Sequence, residues 1–181
     1  MARKILAFYS PYPGAGKTTA AKYFMVSKVN FLTLSFAAPI REIIAFMMSW
    51  PHRISPYLPE IDDKNVIIPE LGASYRELMA QFGAAGRRAN ENMWVNISKR
   101  ILYSNGLNYA IDDLRFPNEY AMLRDEGAKI VRIVNPDREI IPSETEALLE
   151  GYEFDVELVN DKQDLDNYHA QLDKLLANLW P

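Results

Sequence analysis

The sequence predicts an α/β fold: a doubly wound, five-stranded parallel sheet with helices on both faces. Three observations predict it. Short apolar runs, each long enough for one buried strand, alternate with segments whose apolar residues recur at helical spacing. The first such run leads through a Gly/Pro loop directly into a helix. The chain has 181 residues, 49% hydrophobic and 24% charged, which suits a single globular domain spanning 1–181.

The leading element runs from Lys4 to Thr19. Ile5, Leu6, Ala7, Phe8 and Tyr9 form an apolar strand. Pro11-Tyr12-Pro13-Gly14-Ala15-Gly16 forms a loop, and Lys17-Thr18-Thr19 opens a helix carrying Ala20, Ala21, Phe24 and Met25. Strand, loop and helix in this order make a concave anion site from backbone N–H groups and a helix N-terminus. Pro13, Gly14, Ala15, Gly16, Lys17, Thr18 and Thr19 are the candidate phosphate-binding residues, with Lys17 as a point charge and Thr18 as a hydroxyl ligand for Mg²⁺. The expected ligand is a nucleoside triphosphate. Pro11 stands where the pattern G-x-x-x-x-G-K-[ST] has glycine, so the start of the loop is stiffer and has one donor fewer.

Phe31 to Ser35 reads as the second strand. Pro39 suits the first turn of the following helix, which carries Ile43, Ile44, Phe46 and Met47, and Arg41 falls just past the strand's carboxyl end. In open α/β sheets ligands bind at that edge, so Arg41 is a candidate phosphate ligand; pairing with Glu42 is the competing role. Residues 51–73, with four prolines, read as a long irregular connection. Tyr75, Leu78, Met79 and Phe82 predict a helix ending near Gly83, and Trp94, Ile97 and Ile101 a further helix up to Asn105-Gly106. Arg76, Arg87 and Arg88 flank this pair, three arginines near one turn, either as a phosphate clamp or as a solvated face. Trp94 is expected in the core or lining a nucleotide pocket.

Asn108 to Ile111 is the third strand and ends in Asp112-Asp113. A carboxylate at that point, in a chain with a phosphate loop, is placed to hold Mg²⁺ directly or through water, which makes Thr18 and Asp113 the candidate metal ligands. Pro117 begins the next helix and Gly127 ends it, which concentrates Asp113, Arg115 and Glu119 at one crossover; an Asp/Pro turn with a capping Glu is the competing reading. Ala128 to Val134 is the fourth strand. The polar stretch 137–154 is a candidate lid, with Arg138 a candidate for the donor phosphates. Asp155 to Val159 is the fifth strand, and Leu165, Tyr168, Leu172, Leu175, Leu176 and Leu179 are a packing stripe on the last helix.

No cysteine and only two histidines, His52 and His169, are present, so thiolate chemistry, Cys-ligated zinc and a Ser-His-Asp triad are poor fits. A net charge of −4 gives no general attraction to nucleic acid. No apolar leader and no apolar run of about 18 residues is found, so the expected location is the cytoplasm and no membrane partner is expected.

At Asp113-Leu114-Arg115-Phe116-Pro117-Asn118-Glu119 the chain resembles the phage deoxynucleoside monophosphate kinases, whose pattern there is D-x-R-F-P-N-E between a strand and a helix. Phe36 to Arg41, Leu78-Met79 with Gly83, Gly86-Arg87, Trp94-Val95, Ser143-Glu144 and Asn160 agree with the same family, over nearly the whole length. The chain departs from it at Pro11, where the family has Gly, and at Ile141, where it often has His. The resemblance implies a P-loop nucleoside-monophosphate-kinase-like domain with an acceptor-binding helical insertion at 51–106, acting in the cytoplasm of a phage-infected cell. It implies transfer of the γ-phosphoryl group of ATP, with Mg²⁺, to a deoxynucleoside 5′-monophosphate. Lys17, Asp113, Arg115 and Glu119 are then the catalytic candidates, and Arg41, Arg76, Arg87, Arg88, Trp94, Asp113, Arg115 and Glu119 the substrate-binding ones. Two other activities compete: a kinase acting on a hydroxymethylated base in DNA, disfavoured by the acidic balance, and an ATP-gated binding module, disfavoured by the several arginines. A monomer and a homodimer both stay open.

Overall fold

The computed structural model describes residues 3–28, 30–49, 64–69, 71–136, 145, 147–160 and 164–180. In chain order the elements are β1 (Ile5–Tyr9), α1 (Lys17–Ser27), β2 (Phe31–Leu34), α2 (Ala38–Ser49), β3 (Ile67–Ile68), β4 (Ala73–Ser74), α3 (Tyr75–Ala89), α4 (Met93–Ser104), β5 (Asn108–Ile111), α5 (Pro117–Asp125), β6 (Lys129–Val134), β7 (Val156–Val159) and α6 (Leu165–Leu179). The large sheet has the order β2-β5-β1-β6-β7, and every pairing in it is parallel. All five strands fall where the apolar runs place them. The result is the expected doubly wound α/β sheet, led by a phosphate loop.

The alternation of side chains along β1 divides the core between two faces. Leu6 and Phe8 join Ala110, Val131 and Ile133 in a cluster with Ala20, Ala21 and Phe24 of α1 and Tyr168, Leu172 and Leu175 of α6. Ile5, Ala7 and Tyr9 point the other way and are equally buried. On that side Tyr9 stacks on Phe154 at 5.1 Å, and Phe154 in turn meets Tyr120 of α5. Tyr109, across from Ile5, donates its hydroxyl proton toward Ile101 O at the end of α4. Both faces of the sheet are therefore covered, as a parallel sheet requires.

The chain divides into two compact units: residues 1–35 with 100–181, and 36–99. The first holds the large sheet. The second has its own apolar cluster, in which Ile40 and Ile44 of α2 pack with Tyr75 and Leu78 of α3 and with Trp94 of α4.

Two expectations in the second unit are corrected. The stretch read as irregular contains an antiparallel pair, β3 with β4. Its strands are too short to show alternation, and the turn between them closes with the N–H groups of Leu71 and Gly72 on Ile68 O. The helix expected to end near Gly83 continues to Ala89. It starts at a capping box, in which Ser74 Oγ accepts from Glu77 N–H and the Glu77 carboxylate accepts from Ser74 N–H at 2.8 Å. Gly83 and Gly86 mark close approaches inside this helix, not its end: a Cβ at Gly86 would lie 2.3 Å from Cζ2 of Trp94.

Of the candidate lid, 145 and 147–154 are described; Leu149 is fully buried, Glu150 pairs with Arg132 and accepts from the Tyr9 hydroxyl, and 150–153 are exposed. Arg138, Ile141, Ser143 and Glu144 lie outside the described residues, as does His52. No described helix is long and apolar enough to cross a membrane.

Helix propensity alone favours Gly86→Ala by about 1 kcal/mol, but overpacking against a buried ring costs about 1–3 kcal/mol. The variant is expected to have a lower thermal midpoint than wild type; a rise would mean that Trp94 moves aside freely. A second expectation concerns Asp155, whose carboxylate accepts from Ile130 N–H at 2.8 Å and pairs with Arg124 and Lys129. Burial pushes this carboxyl up, but the Ile130 amide and the Arg124 guanidinium outweigh it and hold it below its usual value. A depressed folded-state pKa adds stability above the unfolded pKa of about 3.9 and loses it as pH falls through the folded value. The stability gap between wild type and Asp155→Asn should therefore be full at pH 7 and shrink at pH 3, as read from urea midpoints.

Candidate functional site

In a parallel sheet all strands end at the same edge, and here that edge gathers polar groups. Ser10 follows β1, Ser35 follows β2, Asp112 and Asp113 follow β5, Asn135 follows β6 and Asn160 follows β7. Of these, Ser10, Ser35, Asn135 and Asn160 are buried.

The phosphate loop occupies the centre of this edge. Ser10 Oγ accepts from Tyr12 N–H at 3.2 Å, which spans the position where Pro11 offers no donor. Gly14 and Gly16 have φ of 67° and 105°. Gly16 is the residue before α1, and only glycine fits there: a Cβ would carry left-handed strain and lie 2.4 Å from Asn160 Nδ2. Lys17 is 9% exposed, and its Nζ donates to Ser10 O at 3.1 Å, which brings the ammonium back across the loop to the end of β1. Pro13, Gly14, Thr18 and Thr19 are exposed, while Ala15 is buried.

β5 lies beside β1, so Asp113 and the loop leave adjacent strands. Ser35, on the far side of β5 at the end of β2, donates its hydroxyl proton to Asp113 Oδ2. One residue pair thus ties the candidate metal carboxylate to a neighbouring strand end. Glu119 is 5% exposed and its Oε2 accepts from Arg115 N–H at 2.9 Å and Phe116 N–H at 3.1 Å. These bonds shape the turn that carries Arg115.

The second unit holds Arg41, Arg76, Arg87, Arg88 and Trp94. Because α3 is continuous, the expectation of three arginines near one turn is corrected. Arg76 sits in the first turn and Arg87 and Arg88 in the last, about 16 Å away along the axis at 1.5 Å per residue. Arg76 Nε donates to Asn65 Oδ1 at 2.8 Å. Arg87 is half-buried, with its guanidinium against Gly83, where Ile40 of α2 also approaches. Arg41, next to Ile40, lies near Tyr75: burial pushes that phenol up, and the Arg41 charge only partly opposes the shift. Arg88 is exposed. Trp94 is 6% exposed, donates its indole N–H to Gly83 O at 3.0 Å and lies against Gly86, which is core packing.

Three further residues support this edge without being plainly marked in the sequence. Ser35 carries no sign beyond its place at the end of a strand. Asn160 Nδ2 donates to Ala15 O at 2.8 Å, and the Tyr168 hydroxyl donates to Gly16 O at 3.3 Å. The signal for Asn160 was the one that exposed Asp113, a polar residue directly after an apolar strand. Tyr168 had a fainter one, a single hydroxyl in a stripe otherwise made of leucine.

The sequence matches no family model and no curated protein. Among solved structures the chain is similar to a dephospho-CoA kinase from Campylobacter jejuni, with a TM-score of 0.46 and 13% identity over 97% of each chain.

The loop geometry makes a definite demand on residue 16. Gly16→Ala should lower the thermal midpoint, since the backbone must leave φ > 0 or displace Asn160. An unchanged midpoint would show that the loop adapts without cost.

Proposed function

We propose that this protein transfers the γ-phosphoryl group of ATP to a deoxynucleoside 5′-monophosphate. The observation that carries this proposal is the phosphate loop at the carboxyl end of β1, with Lys17 turned back across it and Asp113 held by Ser35 at the end of the adjacent strand. The block Asp113 to Glu119, with its resemblance to the phage deoxynucleoside monophosphate kinases, supports the choice of acceptor.

The loop amides and the N-terminus of α1 bind the β- and γ-phosphates, and Lys17 neutralises part of their charge. In this reading Arg115, whose backbone turn Glu119 shapes, neutralises the transferring group, and Arg41, Arg76, Arg87 and Arg88 remain the acceptor-side candidates. The Thr18 hydroxyl and Asp113 carboxylate are hard oxygen donors that suit Mg²⁺. Among the described residues no group of three acidic, histidine or cysteine side chains gathers, so the ion's other ligands would be phosphate oxygens and water. When bound, the ion draws charge from the β- and γ-phosphates.

In the transfer itself an acceptor phosphate oxygen forms a bond to the γ-phosphorus as the bond to the β–γ bridging oxygen breaks, and ADP leaves. The attacking oxygen is already ionised at neutral pH, so no general base is needed. Positioning and charge neutralisation are the protein's whole contribution, which a chain without cysteine can supply.

A coupled ADP assay with the common ribo- and deoxyribonucleoside monophosphates tests this. Deoxynucleoside monophosphates are expected to stimulate ATP consumption, and Lys17→Ala to lower kcat by about 100-fold or more while the thermal midpoint stays close to wild type. If no monophosphate stimulates, the acceptor assignment is wrong; if Lys17→Ala keeps near-normal turnover, the donor site is.

A further inference from the structure

A peptide group is planar and trans, so its C=O and N–H point in opposite directions. The carbonyl of Ala15 and the N–H of Gly16 belong to one such plane, and the carbonyl of Gly16 and the N–H of Lys17 to the next. Whatever fixes the two carbonyls therefore aims the two amides. Those amides lie where the loop passes into the N-terminus of α1, where an anion would be bound.

Both carbonyls are held from the sheet side by groups distant in sequence. Asn160 Nδ2 donates to Ala15 O at 2.8 Å, and the Tyr168 hydroxyl donates to Gly16 O at 3.3 Å, beside the first helical bond from Ala20 N–H at 2.9 Å. Both braces are buried. Each is itself well fixed. Asn160 N–H donates to Val134 O at 2.8 Å, which carries the β6–β7 ladder one step beyond the strands. Tyr168 sits in the first turns of α6, behind the Asp164 cap, with its ring in the core cluster. Burial pushes its phenol far up, so it stays a proton donor at any working pH.

We propose that Asn160 and Tyr168 are positioning residues of the donor site: by holding the carbonyls of Ala15 and Gly16 they aim the amides of Gly16 and Lys17 at the phosphates. The identity of the anion rests on the function proposed above; the brace does not. Asn160 also accounts for the glycine at position 16, since its amide nitrogen fills the place a Cβ would take.

The test uses two variants that keep shape. Asn160→Asp replaces the donor with an oxygen facing Ala15 O, and Tyr168→Phe removes only the hydroxyl. Calorimetric binding of ATP and of inorganic tripolyphosphate should weaken about tenfold in Asn160→Asp and about threefold in Tyr168→Phe, by similar factors for the two ligands, because phosphates alone feel the change. KM for the acceptor should not move. Leu102→Ala, a truncation of a fully buried side chain of α4 outside the cluster that holds Tyr168, serves as a control that lowers the thermal midpoint without weakening either ligand. Wild-type affinity in both variants, or an equal loss in the control, overturns the proposal. Should one variant fail to fold, the other decides. Should the wild type bind neither ligand, the donor-site assignment falls, and amide order parameters settle the brace: Gly16 and Lys17 become more mobile in the variants if it exists and stay unchanged if it does not.

Discussion

Leu6 and Ala7 pair with β5 on one side and, with Phe8 and Tyr9, with β6 on the other, so the strand that feeds the phosphate loop has no free edge. Being parallel to both neighbours, β1 ends where they end. The loop consequently emerges between Asp113 on one flank and Asn135 on the other. It cannot be moved along the strand without breaking both ladders, because a shift of one residue would exchange the buried faces of β1. Parallel register at the centre of the sheet therefore sets the location of every polar group in the first unit's site.

That location imposes its own requirement. The sheet interior is apolar, yet Ser10, Ser35, Asn135 and Asn160 are buried immediately beyond the strands. Groups in such a position must be hydrogen-bonded, and they bond mainly to the turns beside them. Ser10 meets Tyr12 N–H, Ser35 meets Asp113, and Asn160 meets the loop carbonyl. Each connection fixes a candidate functional residue to a strand end it does not follow in sequence or to the first bend of its own loop. The scaffold and the site are thus joined by a few polar bonds at a dry boundary, where a missing partner costs more than it would in water.

The legible parts of the chain were those where one local signal suffices. The five apolar runs gave the strands, and Gly14-Ala15-Gly16-Lys17 gave the loop without help from elsewhere. Gly83 misled because a glycine after a periodic segment usually marks a helix end, whereas here it marks a close approach by Ile40 and the Arg87 side chain. The same error placed Arg76 beside Arg87 and Arg88. Trp94 was ambiguous until Gly86 and Gly83 were seen to receive its ring and its N–H. Asn160 and Tyr168 act on residues that precede them by most of the chain, and no window of sequence holds both ends of such a bond. Glu119 was legible in its bland role, the capping Glu of an Asp/Pro turn, because Pro117 marks the helix start and Glu119 falls two residues later; its bonds to the Arg115 and Phe116 amides are that cap.

The strand order also governs how the molecule comes together in time. β1 and β2 are neighbours in the chain but not in the sheet, since β5 lies between them, and the whole second unit is synthesised before β5 appears. Early in translation the first two strands have no ladder to join, and closing β5 between them demands contacts of long sequence separation, which slows assembly. The loop waits longer still, because Asn160 and Tyr168 are made near the end of the described chain. A growing polypeptide thus carries the glycine-rich loop well before it acquires the two side chains that brace it, so the braced form of that loop and the completion of the sheet arrive together.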